Sequence, residues 1–497
     1  MSNKTENCVI ATACIEGRED EKVSASLKIV PKSFVVHFRR PQSYAGDFGF
    51  DWLQDEFLTC TTLDKLKKEH NPCKILNQEY LVPWMSIKNG QQATVNLIIE
   101  KIEGTPSDAD VIKLKEQNGI SFMPEIIKVV DILEKEVEHF PSGKDVGIEV
   151  KITCKQALTK DTEIKVYDRN DEVIGKLSFS KNHKEYKLPM RIVLLVRKGY
   201  ENTDEQAITT HLTANSNSDF NGASDLPDCM HKLENQMNYY AYNQAFVKCE
   251  MERSTSGDVK LHRVAIDEAE WTSNGRINSA GEIADRDDLN STLLEPYKNQ
   301  IERGLSGTGF FKGVVIFITN FEGEKIAGKG NMHIIDDRNC ILFKVDSTTI
   351  RTRPDGSQYT DTPNGNIKMD TYVHEVGHVL SLAHPFQYFN KQSIEQRGQD
   401  ITQIDAYLKN SSVSENDKAS YWETIKDSYK RWNRYAYLFY RNKYFFPGTG
   451  NKTFPEKGST KCLFMDSTPN RNRRVFTQWQ WKTIQESVEQ YFSTKKK

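Results

Sequence analysis

The 497-residue chain lacks an excess of charge of either sign: 67 Lys and Arg residues stand against 69 Asp and Glu. This removes the electrostatic case for nucleic acid or an anionic membrane as partner. Long apolar runs are also missing. Runs such as Ile192–Val196 and Val314–Ile318 are strand-sized, whereas a membrane helix needs about 20 such residues. None of the nine cysteines has a partner at CxxC spacing, and their number is odd. That pattern fits reduced, mostly buried thiols better than a disulfide framework, with Cys8–Cys14 the alternative pairing. The opening MSNKTENCVIATACIEGRED has no basic segment leading into an apolar stretch, so no normal signal peptide is expected. The expected location is cytoplasmic, or outside by a route that reads something else.

What is present divides by composition. Domains average roughly 100–200 residues, so this length predicts two to four. Residues 22–100 read as strands: VSASLKIV, SFVVHFRR and QATVNLIIEKI carry β-branched runs, the last after the turn signal Lys88-Asn89-Gly90. YAGDFGFDWLQDEF reads as a packed loop and hairpin core, or alternatively as an exposed recognition surface. Residues 124–140 could be strand or helix. GIEVKITC, TEIKVYD, EVIGKLSFS and MRIVLLVRK follow at the spacing of a β-sandwich. The expected units are therefore a β-rich 1–110, a second sandwich-like 111–200 and a polar linker over 201–228.

From 229 onward the pattern is mixed α and β. Met230, Leu233, Met237, Tyr240 and Ala241 recur at helical period. GVVIFITNF and CILFKVD read as strands that bracket AGKGNMHIID. Residues 390–447 read as a helical insertion. Its second part is capped by Ser414 and Asp417 and striped with Tyr421, Trp422, Tyr429, Trp432, Tyr435, Tyr437, Phe439 and Tyr440. The stripe reads as a packing face, with a cleft wall as the alternative.

The chemistry concentrates in TYVHEVGHVLSLAHPF, residues 371–386, which holds three of the chain's eleven histidines. On a helix His374 and His378 sit about 40° apart, one turn above the other. Both imidazoles can then reach one zinc ion at about 2.0–2.1 Å. Glu375 projects beside such a metal, where a general base for water belongs. His384 would point about 280° around a continuous helix, so it can join only if the helix stops and the chain folds back. Glycine usually permits that turn, and here the position holds Ser381. By composition HExxH arises by chance in roughly one or two of a hundred chains of this length; the third histidine cuts this to roughly a few in ten thousand. Lone histidines such as His262 and His333 read as ordinary core residues.

HEVGHVLSLAH resembles the zinc motif of the metzincin metallopeptidases, HExxHxxGxxH followed by a methionine turn. HPF after the last histidine is similar to the pappalysin-like and serralysin-like branches. The resemblance implies an α/β (α+β) peptidase domain over 229–497 with zinc at the bottom of a cleft. It implies His374, His378 and His384 as ligands and Glu375 as the catalytic acid/base. Met465, in CLFMDST, matches the methionine turn, and FTQWQWKTIQESVEQYF the closing helix. An edge strand that pairs with extended substrate is also implied. KIAGKGNMHI fits it, because Gly328 and Gly330 would let a backbone approach closely, although a surface β-turn fits the same residues. Two positions depart from the family: Ser381 replaces the glycine, and Ser467 stands where some relatives carry a tyrosine. Tyr388 is the substitute candidate for that role. No cysteine-switch motif is apparent, and Cys73 reads as structural.

The expected function is a metalloendopeptidase acting on protein or peptide. Residues 1–200 would supply targeting, docking or delivery to a partner, or act as a pro-domain. The alternative is a non-catalytic zinc-binding interaction protein of metzincin-like fold.

Overall fold

The computed structural model describes residues 8–15, 18–28, 33–54, 63–104, 106–141, 143–214, 218–303, 310–324, 326–330, 338–344, 350–352, 358–360, 368–384, 391–441, 463–465 and 473–492. The chain is multidomain, with a β-rich N-terminal region followed by mixed α and β structure. No helix among the described residues is long and apolar enough to cross a membrane.

Residues 33–179 form a β-sandwich. One antiparallel sheet runs in the order Ile120–Met123, Lys144–Cys154, Gln92–Glu103, Ser33–Arg39. The other runs Ile126–Lys128, Val111–Lys113, Thr162–Tyr167, Val173–Phe179, Trp84–Ser86, Gly49–Asp51, with one parallel pairing between Val173–Phe179 and Trp84–Ser86. Alternate residues of each strand fill one core, among them Val36, Phe38, Val95, Leu97, Val150 and Ile152 against Ile112, Ile164, Val166 and Leu177. Tyr44, Phe48 and Phe50 are buried in it, so the aromatic loop packs inward as expected. The ambiguous 124–140 segment resolves into two short strands around a 3₁₀ turn.

The sheets place three boundaries differently from the sequence. The expected division at 110/111 falls inside the sandwich, because each sheet draws strands from both sides of it. Tyr186–Arg197, grouped by its spacing with the sandwich, instead lies in the middle of the second unit's sheet. The expected linker over 201–228 contains the helix Glu201–Thr213 and the start of the helix Leu226–Tyr240. The first of these looks like linker because only Asp204, Ile208 and Leu212 are buried. Ile208 and Leu212, four apart, dock it on the core, each worth about 1.5–3 kcal/mol.

The second unit is built on this mixed sheet. Tyr186–Arg197 pairs in parallel with Val247–Met251 along its first half and with Leu261–Ile266 along its second. On its other flank lie Val314–Glu322, also parallel, then Asn339–Lys344 and the antiparallel edge strand Gly328–Gly330. Both faces are covered. Leu188, Met190, Ile192 and Leu194 meet Leu226–Tyr240 and the helix Met369–Val379, while Val193 and Leu195 meet Leu289, Leu293 and Tyr297. Burial on both faces is why these strands read as continuous apolar runs.

The insertion forms two helices, Lys391–Lys409 and Glu415–Arg441. The Ser414 hydroxyl caps the second, accepting from the Asp417 N–H at 3.2 Å and donating to the Asp417 carboxylate at 2.6 Å. The Tyr407 and Tyr421 rings lie 4.6 Å apart, the Tyr429 hydroxyl donates to Asp405, and the Arg397 guanidinium covers Trp432. The described part of the aromatic stripe therefore joins the two helices. Cys73, Cys154, Cys229, Cys249 and Cys340 are free thiols, and Cys73 packs beside Ile75 and Tyr80.

Candidate metal centre

The helix Met369–Val379 carries His374, Glu375 and His378, all buried. It stops at Val379, with Leu380 as its C-cap, so it ends before Ser381 and leaves room for the chain to fold back before His384. Ser381 then adopts φ 71°, the left-handed conformation that glycine would take without cost. For an L-residue that costs about 1–2 kcal/mol. Ser487, fully buried on the closing helix Gln478–Ser487, donates to the Leu380 carbonyl at 2.9 Å and lies 3.5 Å from the Ser381 hydroxyl. A net gain of about 0.5–1.5 kcal/mol per hydrogen bond is enough to offset most of the strain. The chain then turns back and delivers His384 to the other two histidines.

The three Nε2 atoms converge. His374 and His378 are 3.1 Å apart, His374 and His384 3.1 Å, and His378 and His384 3.2 Å. A tetrahedral ion at about 2.0–2.1 Å from each would set these separations at roughly 3.3–3.4 Å, so little movement is needed. The outer nitrogens explain the orientation. His374 Nδ1 lies 2.7 Å from the Phe464 carbonyl and His378 Nδ1 2.8 Å from the Leu382 carbonyl. A carbonyl only accepts, so both Nδ1 atoms carry the proton and both Nε2 atoms present lone pairs. Two lone pairs facing each other at that distance repel unless a cation lies between them. Burial also holds the rings neutral, lowering His374 well below the usual imidazole value and His378 to about 4. Neutral imidazole is the form that binds metal. The residues present therefore fit a zinc ion, and three nitrogen donors match a site that keeps a fourth position open.

Glu375 lies against the edge strand. Its Oε2 accepts from the Gly330 N–H at 2.5 Å. Burial raises its carboxyl to about 7, partly offset by that hydrogen bond and by Arg473 and Lys329. Gly328 and Gly330 are required by contact here. A Cβ at Gly328 would stand 2.8 Å from Glu375 Cγ, and one at Gly330 2.3 Å from the Glu375 carbonyl oxygen and 2.8 Å from His378 Cβ. The close approach is thus to the histidine helix. Met465, fully buried, sits beneath the same helix, its sulfur 2.5 Å from where a Gly377 Cβ would be.

His374, Glu375, His378, His384, Gly328, Gly330 and Met465 are thus brought together. Tyr388 and Ser467 lie outside the described residues. Sequence reasoning missed the carbonyls of Phe464 and Leu382, and Ser487. Phe464 could have been suspected as the neighbour of Met465, but Ser487 carries no local signal.

No family model and no curated protein matches the sequence. Among solved structures, one described as "Structure of a chaperone-substrate complex" is 13% identical, with a TM-score of 0.20. The match covers 49% of this chain and 29% of that one. A likeness at that score carries no argument about fold or function.

Proposed function

We propose that the chain is a zinc-dependent endopeptidase of the metzincin type. The observation that carries this reading is the convergence of three imidazole nitrogens, those of His374, His378 and His384, beside a buried carboxylate on the helix that bears the first two. The methionine beneath that helix and the antiparallel glycine strand beside it support it further.

A zinc ion bound there supplies Lewis acidity and makes water a nucleophile near neutral pH. The chain's own residues do the rest. His374, His378 and His384 hold the ion, two of them fixed in tautomer by backbone carbonyls. Glu375 takes a proton from the attacking water and returns it to the leaving amine, from a buried position on the helix that bears His374 and His378. Gly328–Gly330, an edge strand among the described residues, would offer an extended peptide backbone groups other than the Gly330 N–H, which Glu375 holds.

The test is hydrolysis by the wild type against Glu375→Gln, read by sequencing new N-termini in a mixed proteome. Cleavages that appear only with the wild type, while both proteins hold zinc, support the proposal. Equal hydrolysis by the two proteins sinks it. No hydrolysis by either, with zinc held, favours a non-catalytic zinc-binding protein.

A further inference from the structure

The turn that carries Met465 sits between the two units. Leu463 and Val475 belong to the sandwich core, whereas Phe464, Met465 and Phe476 belong to the core beneath the histidine helix. The two short segments are joined by the Phe464 N–H donating to the Val475 carbonyl at 2.9 Å. One step along the chain therefore leads from the sandwich interior to the Phe464 carbonyl, the acceptor that orients His374.

A second set of contacts runs through Gln244, which has no exposed surface. Its Nε2 donates to the Arg474 carbonyl at 2.8 Å and to the Gly46 carbonyl at 3.4 Å, and its Oε1 accepts from the Phe476 N–H at 3.0 Å. Ser86 of the sandwich donates to its backbone carbonyl. Neighbouring Asn243 donates to the Asp47 carbonyl, and Arg474 to the Tyr44 carbonyl. Tyr242, two residues before Gln244, donates to the Val373 carbonyl on the histidine helix at 2.7 Å. One buried turn thus binds the sandwich loop 44–47, the chain after Met465 and the helix that bears the ligands.

We infer that the β-sandwich is a fixed part of the metal centre, with Gln244 and Leu463 as positioning residues that hold the Phe464–Met465 turn under His374. The sandwich is then neither a removable pro-domain nor a separable carrier, whatever docking its outer surface performs. The inference rests on the zinc reading above. Orientation of a ligand by its outer hydrogen-bond partner is worth about 10–100-fold in metal affinity, and displacing the Phe464 carbonyl forfeits that support.

The experiment is zinc titration of the metal-free full-length chain in four forms: wild type, Gln244→Leu, Leu463→Ala and Val150→Ala. Val150 lies in the sandwich core on the strand Lys144–Cys154 and serves as a matched loss of packing away from the turn. The expected result is affinity at least tenfold weaker in Gln244→Leu and Leu463→Ala, and unchanged in Val150→Ala. Circular dichroism would confirm that each variant is folded. If Gln244→Leu and Leu463→Ala do not fold, Leu463→Val, one methylene shorter, carries the test. Folded turn variants that bind zinc within twofold of wild type would overturn the inference. So would an equal loss in Val150→Ala. A wild type that binds no zinc would refute the metal site itself, a separate failure.

Discussion

The sandwich and the histidine-bearing unit both bury polar groups, but in different ways. In the sandwich they are scattered and turned toward backbone or aromatic rings. His70 faces the Val82 carbonyl, Asn96 donates to the Glu138 carbonyl, and Arg40 lies 4.3 Å over Trp52. In the second unit three imidazoles face one another from a segment of eleven residues, with Glu375 alongside. His70 and the Asn96 amide nitrogen, turned to backbone carbonyls, serve the fold, and the Arg40 guanidinium, with no hydrogen bond among the described residues, packs on Tyr44, Trp52 and Phe140. Buried lone pairs aimed at a common point require a further partner, and that difference separates structure from chemistry here.

Breaking the convergence has the largest expected effect. His378→Ala should abolish stoichiometric zinc binding and all hydrolysis, while His70→Ala in the sandwich costs stability and leaves zinc bound; metal analysis of both proteins checks this. Next is Glu375→Gln, which should retain zinc and lose at least about 10²-fold in kcat/KM, the range for removing a general base.

A matched pair of glycines sharpens the contrast further. A Cβ at Gly330 and one at Gly147 each meet a backbone oxygen at 2.3 Å, that of Glu375 in one case and of Leu97 in the other. Gly330→Ala and Gly147→Ala should both lose about 1–3 kcal/mol of stability. Only Gly330→Ala should also weaken hydrolysis, by at least tenfold in kcat, as denaturant melts alongside steady-state kinetics would show.

The smallest effect belongs to Ser381→Gly. Relief of the left-handed strain should raise stability by at most about 1 kcal/mol, because the Ser381 hydroxyl's contact with Ser487 is lost and glycine gains freedom in the unfolded chain. A thermal melt reads it, and zinc affinity should stay within a few-fold of wild type.

The fold was legible in the sequence where one pattern had one meaning. Alternating β-branched runs marked the sandwich strands, and HExxH at helical spacing marked the histidine helix and the need for it to end near Ser381 if His384 is to join. It failed where one pattern had two meanings. Ile192–Val196 is equally apolar in a sandwich core or in a parallel strand covered on both faces, and only the pairing with Leu261–Ile266 and Val314–Glu322 decides. The helix Glu201–Thr213 buries too few apolar residues to stand out from a linker. Gln244 and Ser487 act through contacts more than 100 residues away in sequence, which no local pattern encodes.

The most direct measurement is anomalous scattering at the zinc edge from crystals of the full-length chain, combined with metal content per chain. The account predicts one ion per chain, about 2.0–2.1 Å from Nε2 of His374, His378 and His384. A metal-free chain after zinc supplementation, or an ion held elsewhere with the three imidazoles turned apart, would contradict it.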